Sequence, residues 1–198
     1  MTRKTKALTM ALCAVLLVVT TVFATMAFLT SQDSVTNTFT YGKVEITLDE
    51  ADVKTDGTYE STKDARVDAN EYKLIPGHTY IKDPTIHVDD KSEDCWLFVK
   101  VENGLEGAEA TGDTTIAAQM AKDDNWTLVD GTNIYAYKAI VSAGDDVVVF
   151  ESFKIAGDAV VADYGEKKID VTAYAIQADG FKTAAEAWEN AGAEAQGN

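Results

Sequence analysis

The two histidines are the residues of this sequence with the clearest capacity for metal chemistry. His78 follows Pro76-Gly77 in a predicted loop, and His87 falls in a predicted strand nine residues later. Zinc proteases with the H-E-x-x-H motif place two histidines one helical turn apart and add a glutamate that acts on the metal-bound water. This spacing fixes no such geometry, so we expect one loop histidine and one strand-face histidine. Zinc held by both histidines and an acidic loop residue is the alternative.

Cysteine and serine offer no clearer nucleophile. Cys95 opens the most apolar predicted strand, where a thiol stays protonated and inert, so we interpret it as a core residue. The other cysteine, Cys13, lies in the apolar N-terminal run, and no G-x-S-x-G elbow occurs. We therefore predict no catalytic residue, no cofactor and no metal site.

Acidic clusters and aromatic residues leave two ligand classes open. Calcium needs about six to eight converging oxygen ligands, and no D-x-D-x-D-G loop supplies them. We interpret the clusters as solvated turns and the aromatic residues as core or cross-strand pairs, with calcium and carbohydrate as alternatives. The clusters are Asp89, Asp90, Glu93 and Asp94; Asp123 and Asp124; Asp145 and Asp146. The aromatic residues are Trp96, Trp126, Tyr135, Tyr137 and Tyr174.

Period-2 alternation of apolar residues predicts that strands position these groups. The expected strands are residues 43–49, 83–88, 95–102, 125–130, 133–139, 146–155 and 168–177, and the expected helices are residues 114–122 and 183–190. The strand at 95–102 is apolar on both faces and should be central, whereas the one at 83–88 begins beside a proline and suits a strand start or an edge. The Asp130-Gly131 step predicts a tight turn. We predict an all-β antiparallel sandwich with one or two short helices.

The N-terminus has the layout of a secretory signal peptide. Three cations (Arg3, Lys4 and Lys6) precede an uncharged run over residues 7–30, and small residues lie near its end. We predict cleavage between Ala27 and Phe28, which leaves one secreted domain over residues 28–198. The run is also long enough to span a bilayer, so a retained anchor is the alternative.

The charge of the chain excludes nucleic acid as a partner. The formal net charge is −16, and removal of residues 1–27, which hold three of the 17 Lys and Arg and no Asp or Glu, shifts it to −19. Such a surface repels nucleic acid and anionic lipid. Only the transient signal peptide is expected to contact the membrane.

Four segments together resemble the TasA/camelysin family of secreted proteins of Gram-positive bacteria. They are AFLTSQDSVTNTFTYGKVEITLDE after the apolar run, LIPGHTYIKDPTIHV at residues 74–88, CWLFVKVEN at 95–103 and VTAYAIQADGFKTAAEAW at 171–188. The resemblance implies a jelly-roll-like β-sandwich, export through a SipW-type signal peptidase, and a place in the extracellular biofilm matrix or at the cell surface.

The resemblance also implies a donor strand. In fibre-forming members the segment freed by the peptidase adds to the sheet of the next subunit, which here would be residues 28–41. Val35, Asn37, Phe39 and Tyr41 are the candidate plugs along one face. The alternative is that residues 36–41 form the first strand of the protein's own sheet.

The sequence thus predicts a structural protein whose partner is itself or a related fibre subunit. Two other function classes remain open: a camelysin-type metallo-endopeptidase, and a surface module that binds a ligand or polysaccharide.

Overall fold

The computed structural model describes residues 30–33 and 44–195. This part of the chain is mainly antiparallel β structure with two short α-helices, which confirms the all-β class. Neither of these helices has the length and apolar character that a membrane span requires. The elements are β1 (Thr30–Asp33), β2 (Ile46–Ala51), β3 (Arg66–Val67), β4 (Thr79–Ile81), β5 (Thr85–Val88), β6 (Cys95–Asn103), α1 (Ile116–Ala121), β7 (Trp126–Leu128), β8 (Ile134–Tyr137), β9 (Asp146–Val148), β10 (Ser152–Lys154), β11 (Ile169–Gln177) and α2 (Ala184–Ala195).

The largest sheet has five strands in the order β1-β11-β6-β8-β7. All nine residues of β6 pair with the nine of β11, from Cys95 opposite Gln177 to Asn103 opposite Ile169. The central position predicted for the strand at 95–102 is therefore confirmed. The predicted hairpin is also present, because β7 pairs with β8 and Gly131 takes a positive φ of 74° in the turn.

The other strands form a four-stranded sheet, β3-β2-β5-β9, and a separate pair, β10-β4. The strand that begins at Thr85 is interior in its sheet, between β2 and β9, and not at an edge. The expected single strand at 146–155 is two strands in different sheets. The chain bends at Val149 between these strands, and Val149 and Phe150 are both buried there.

One hydrophobic core lies between the two larger sheets. Both sheets contribute small and branched apolar side chains to it, so burial on each side holds the layers together. The four-stranded sheet and its lead-in residue supply Val44, Ile46, Ile86, Val88 and Val147; the five-stranded sheet supplies Cys95, Leu97, Val99, Ala173 and Ala175.

A second core covers the opposite face of the five-stranded sheet. Trp188 of α2 packs there against Phe98 and Tyr174, with ring centroids 4.9 and 5.6 Å apart. The helix starts as predicted, since the Thr183 hydroxyl accepts a hydrogen bond from the backbone N–H of Glu186. It continues past the predicted end at residue 190 to Ala195.

Candidate functional site

The edge of β11 is where the described part of the N-terminal segment pairs. β1 pairs with β11 from Thr30 opposite Ile176 to Asp33 opposite Ala173. It therefore occupies only part of that edge. Within the described residues, no strand pairs with residues 169–172 of β11 on the side away from β6.

Two other elements lie against β1. α2 contacts it from the side of the second core, and β2 contacts it from the side of the first. The position next to β11 is thus a slot, which we define as the β11 edge flanked by α2 and β2. A strand in this slot has backbone partners along one edge and packing neighbours on both faces.

The predicted plugs and cleavage site cannot be placed relative to this slot. They lie outside the described residues, and their roles stay predictions: Ala27, Phe28, Val35, Asn37, Phe39 and Tyr41.

His87 is the centre of a charged cluster on the four-stranded sheet. Its Nδ1 lies 2.6 Å from Asp146 Oδ1, and its Nε2 lies 3.0 Å from Asp49 Oδ1. Burial lowers the pKa of His87, but the hydrogen bonds to the two carboxylates raise it more, so that the pKa lies above its ordinary value of 6.5. The protonated ring satisfies both carboxylates and joins strands β2, β5 and β9.

Asp49 also links His87 to a second cation, Arg66. Its side chain is 23% exposed and accepts a 2.7 Å hydrogen bond from Arg66 Nε. Arg66 also donates to Asp83 Oδ2 at 2.9 Å and to the backbone carbonyls of both aspartates. One guanidinium thus ties β3 to β2 and to Asp83, which lies just before β5.

The two histidines do not share a site. His78 Nε2 is 2.7 Å from the carbonyl oxygen of Asp56, and its ring packs edge-on to Tyr80. Among residues 30–33 and 44–195, no group of three or more His, Cys, Asp and Glu has the geometry to hold a metal ion.

Cys95 is in the core, as predicted. It is fully buried, and burial, with a smaller contribution from Asp94, raises the pKa of its thiol to about 12. A thiol in this state is a poor nucleophile.

The acidic clusters belong mainly to turns. Asp89 Oδ1 accepts from the backbone N–H of Lys91, and Asp145 Oδ2 accepts from that of Ser142. Asp89 also borders an open groove of about 470 Å³ whose lining includes Glu45 and His87. Such intraloop hydrogen bonds are what solvated Asx turns make.

The aromatic residues considered for a carbohydrate platform are mostly packed inside. Trp96, Trp126 and Tyr174 are each less than a tenth exposed. Trp126 lies opposite Tyr137 across the β7–β8 pair, with ring centroids 5.1 Å apart. This is the cross-strand pairing that the sequence favoured.

Sequence reasoning missed a buried polar cluster at β2 of the four-stranded sheet. Glu50 of β2 is 4% exposed and bonds both to Lys82 and to Asn70. The three residues are far apart in the sequence, so no motif revealed them. The neighbouring cluster of Arg66 with Asp49 and Asp83 had a weak signal in the sequence, because Arg66 is the only arginine besides Arg3.

Comparison with known proteins does not assign the chain to a family. No family model, curated protein or solved structure matches this chain. Membership of the TasA/camelysin family therefore stays a prediction from the four segments.

Proposed function

We propose that this protein is a secreted structural subunit that associates with itself, or with a related subunit, by exchange of its N-terminal strand. The observation that carries the proposal is that, among the described residues, β1 pairs with only four of the nine residues of β11. In the proposed subunit, a signal peptidase of the SipW type cuts between Ala27 and Phe28, and residues 28–41 become free to pair with a neighbouring copy. The domain that receives them is a jelly-roll-like sandwich.

The described backbone ladder of β1 is short. β1 makes four residue pairs with β11, and a backbone hydrogen bond contributes about 1 kcal/mol net. Ordering four residues costs about 1–2 kcal/mol each. The ladder of about 4 kcal/mol therefore roughly balances an ordering cost of about 4–8 kcal/mol. On these backbone terms alone β1 is not held firmly in its slot, and the same hydrogen bonds would form in the slot of another copy.

The register of β1 gives the donor strand a specific alignment. A donor from a neighbouring copy that continues this register would bring Val35 opposite Val171 and Asn37 opposite Ile169. In this arrangement the backbone ladder supplies affinity and the alternate side chains set the register.

Deletion of residues 28–41 tests the proposal. The full secreted chain, residues 28–198, should form filaments in electron micrographs, whereas residues 42–198 should elute as a monomer with unchanged far-UV circular dichroism. A matched pair of variants separates the side chains from chain length: Phe39→Ser with Tyr41→Ser should weaken assembly, and Thr38→Ser with Thr40→Ser should not. Filaments from residues 42–198 would refute strand exchange.

The competing functions give different results in the same preparation. Stoichiometric zinc together with chelator-sensitive proteolysis would indicate the metallo-endopeptidase. A monomer of residues 28–198 that retains a polysaccharide would indicate the binding module.

A further inference from the structure

We propose that Lys82 and Asn70 form an intramolecular isopeptide bond, with Glu50 as the group that transfers protons. The cluster joins three separate parts of the chain: Glu50 lies in β2, Asn70 follows β3, and Lys82 follows β4. Nothing in the proposed assembly mechanism uses it. The inference concerns a covalent modification within one subunit.

The geometry brings an amine and an amide to a single carboxylate. Lys82 Nζ donates to Glu50 Oε2, and Asn70 Nδ2 donates to Glu50 Oε1 at 2.8 Å. The two oxygens of a carboxylate are adjacent, so a single group holds both the nitrogen nucleophile and the nitrogen leaving group by hydrogen bonds. This is the proximity that makes an intramolecular reaction fast.

The carbonyl of the same amide is also polarised. Asn70 Oδ1 accepts a 2.9 Å hydrogen bond from the backbone N–H of Val53, which is itself 7% exposed. A backbone N–H at this position stabilises the oxyanion that forms when an amine attacks the carbonyl carbon. The second Nδ2 hydrogen bond, to the carbonyl oxygen of Ala51 at 2.8 Å, fixes the plane of the amide.

The cluster is largely shielded from solvent. The side chains of Lys82 and Glu50 are 11% and 5% exposed, and the Tyr72 ring lies 5.9 Å from Nζ. Burial, with added repulsion from Glu50 and Asp83, raises the pKa of Tyr72 far above its usual range, which marks the site as dry and negative.

The reaction balances without an oxidant or a co-reactant. Glu50 takes one proton from Lys82, and the Nζ lone pair attacks Cγ of Asn70 to form the new C–N bond. Glu50 then gives its proton to Nδ2, and the old C–N bond breaks. The remaining extra proton on Nζ returns to Glu50 and leaves with the ammonia as ammonium, so that Glu50 is again a carboxylate. One side-chain amide is replaced by another, and one ammonia is released.

A covalent tie of this kind suits the composition of the chain. Cys95 is the only cysteine after residue 27, so the secreted domain has no intramolecular disulfide. The bond would close a ring over residues 70–82, which includes Tyr80, a fully buried ring stacked on Phe153 at 4.9 Å. It would tie the end of β4, and with it the β4–β10 pair, to the segment that follows β3.

Mass spectrometry of the folded protein tests the bond. The intact mass should fall below the sequence mass by one ammonia. Because an asparagine succinimide also loses ammonia, the tryptic digest decides: the bond predicts a branched peptide in which residues 67–73 are joined to residues 74–91, with two N-termini and no cleavage after Lys82. Separate peptides 67–73, 74–82 and 83–91 from the folded wild type would overturn the proposal and leave a plain buried ion pair.

Variants identify the roles of the three groups. Lys82→Arg keeps the charge without a comparable nucleophile, and Glu50→Gln removes the proton carrier, so both should show the full sequence mass. Asn103→Asp is the matched control, because Asn103 Nδ2 bonds the buried Glu109 at 3.0 Å without a lysine in that carboxylate's hydrogen bonds. Its digest should still contain the branched peptide. Variants that fail to fold do not rescue the proposal, since the wild-type digest alone can refute it.

Discussion

Truncation of Trp188 tests whether α2 is anchored well enough to form one side of the slot. The Trp188 side chain is 6% exposed, and its ring lies 4.9 Å from Phe98 and 5.6 Å from Tyr174. Replacing a buried tryptophan with alanine removes these contacts and leaves a cavity, which costs about 3–5 kcal/mol. A domain of this size has a free energy of unfolding of about 5–15 kcal/mol, so Trp188→Ala should fold with a much smaller margin.

Urea unfolding of the isolated monomer, followed by far-UV circular dichroism, measures this loss. Leu128→Ala is the control, because Leu128 is 48% exposed on the edge strand β7 and should change stability by less than about 0.5 kcal/mol. Trp188→Ala should also form fewer filaments, since the slot loses the support of α2. A loss below about 1 kcal/mol in Trp188→Ala would refute the assignment of this tryptophan as the anchor of the second core.

Three further predictions follow from the charged cluster and the core. The folded-state pKa of His87 is raised, so the stability that it contributes should be full below pH 6.5 and disappear as the pH rises through the folded-state pKa. The free energies of unfolding of wild type and His87→Asn, measured in urea, should therefore converge at high pH. A difference between them that stays constant with pH would contradict the links to Asp49 and Asp146. Arg66→Lys removes the planar guanidinium that bonds two carboxylates, and should lower the free energy of unfolding by about 1–3 kcal/mol in the same assay. An unchanged urea midpoint would show that the guanidinium is dispensable. Cys95 should resist a thiol reagent in the native protein and react after denaturation, and rapid native labelling would contradict its burial.

The parts of the fold that the sequence predicted well are those with a local signal. The strand from Cys95 is apolar on both faces. Asp130-Gly131 marks the turn between β7 and β8 by residue type alone. The break between β9 and β10 has no such signal, because the apolar run continues through Val149 and Phe150 while the chain changes sheets.

The polar clusters were not predictable for a different reason. His87 meets Asp146 across 59 residues, and Glu50 meets Lys82 across 32. Contacts of this kind depend on which strands become neighbours, and one sequence does not encode that order in any local pattern. The segment after residue 27 reads as a strand directly after a predicted cleavage site, and its part in assembly stays a prediction.

Paired cysteines across the β1–β11 ladder test strand exchange most directly. Ser31 lies opposite Ala175 in the register, so we consider one chain with Ser31→Cys and another with Ala175→Cys, mixed and oxidised under conditions that give filaments. Strand exchange predicts a covalent dimer that contains one chain of each kind. An off-register mixture of Ser31→Cys with Thr172→Cys should give much less of it. Filaments without any mixed dimer, together with a bond inside the single chain that carries both Ser31→Cys and Ala175→Cys, would show that the strand pairs only within its own subunit and would contradict the proposed function.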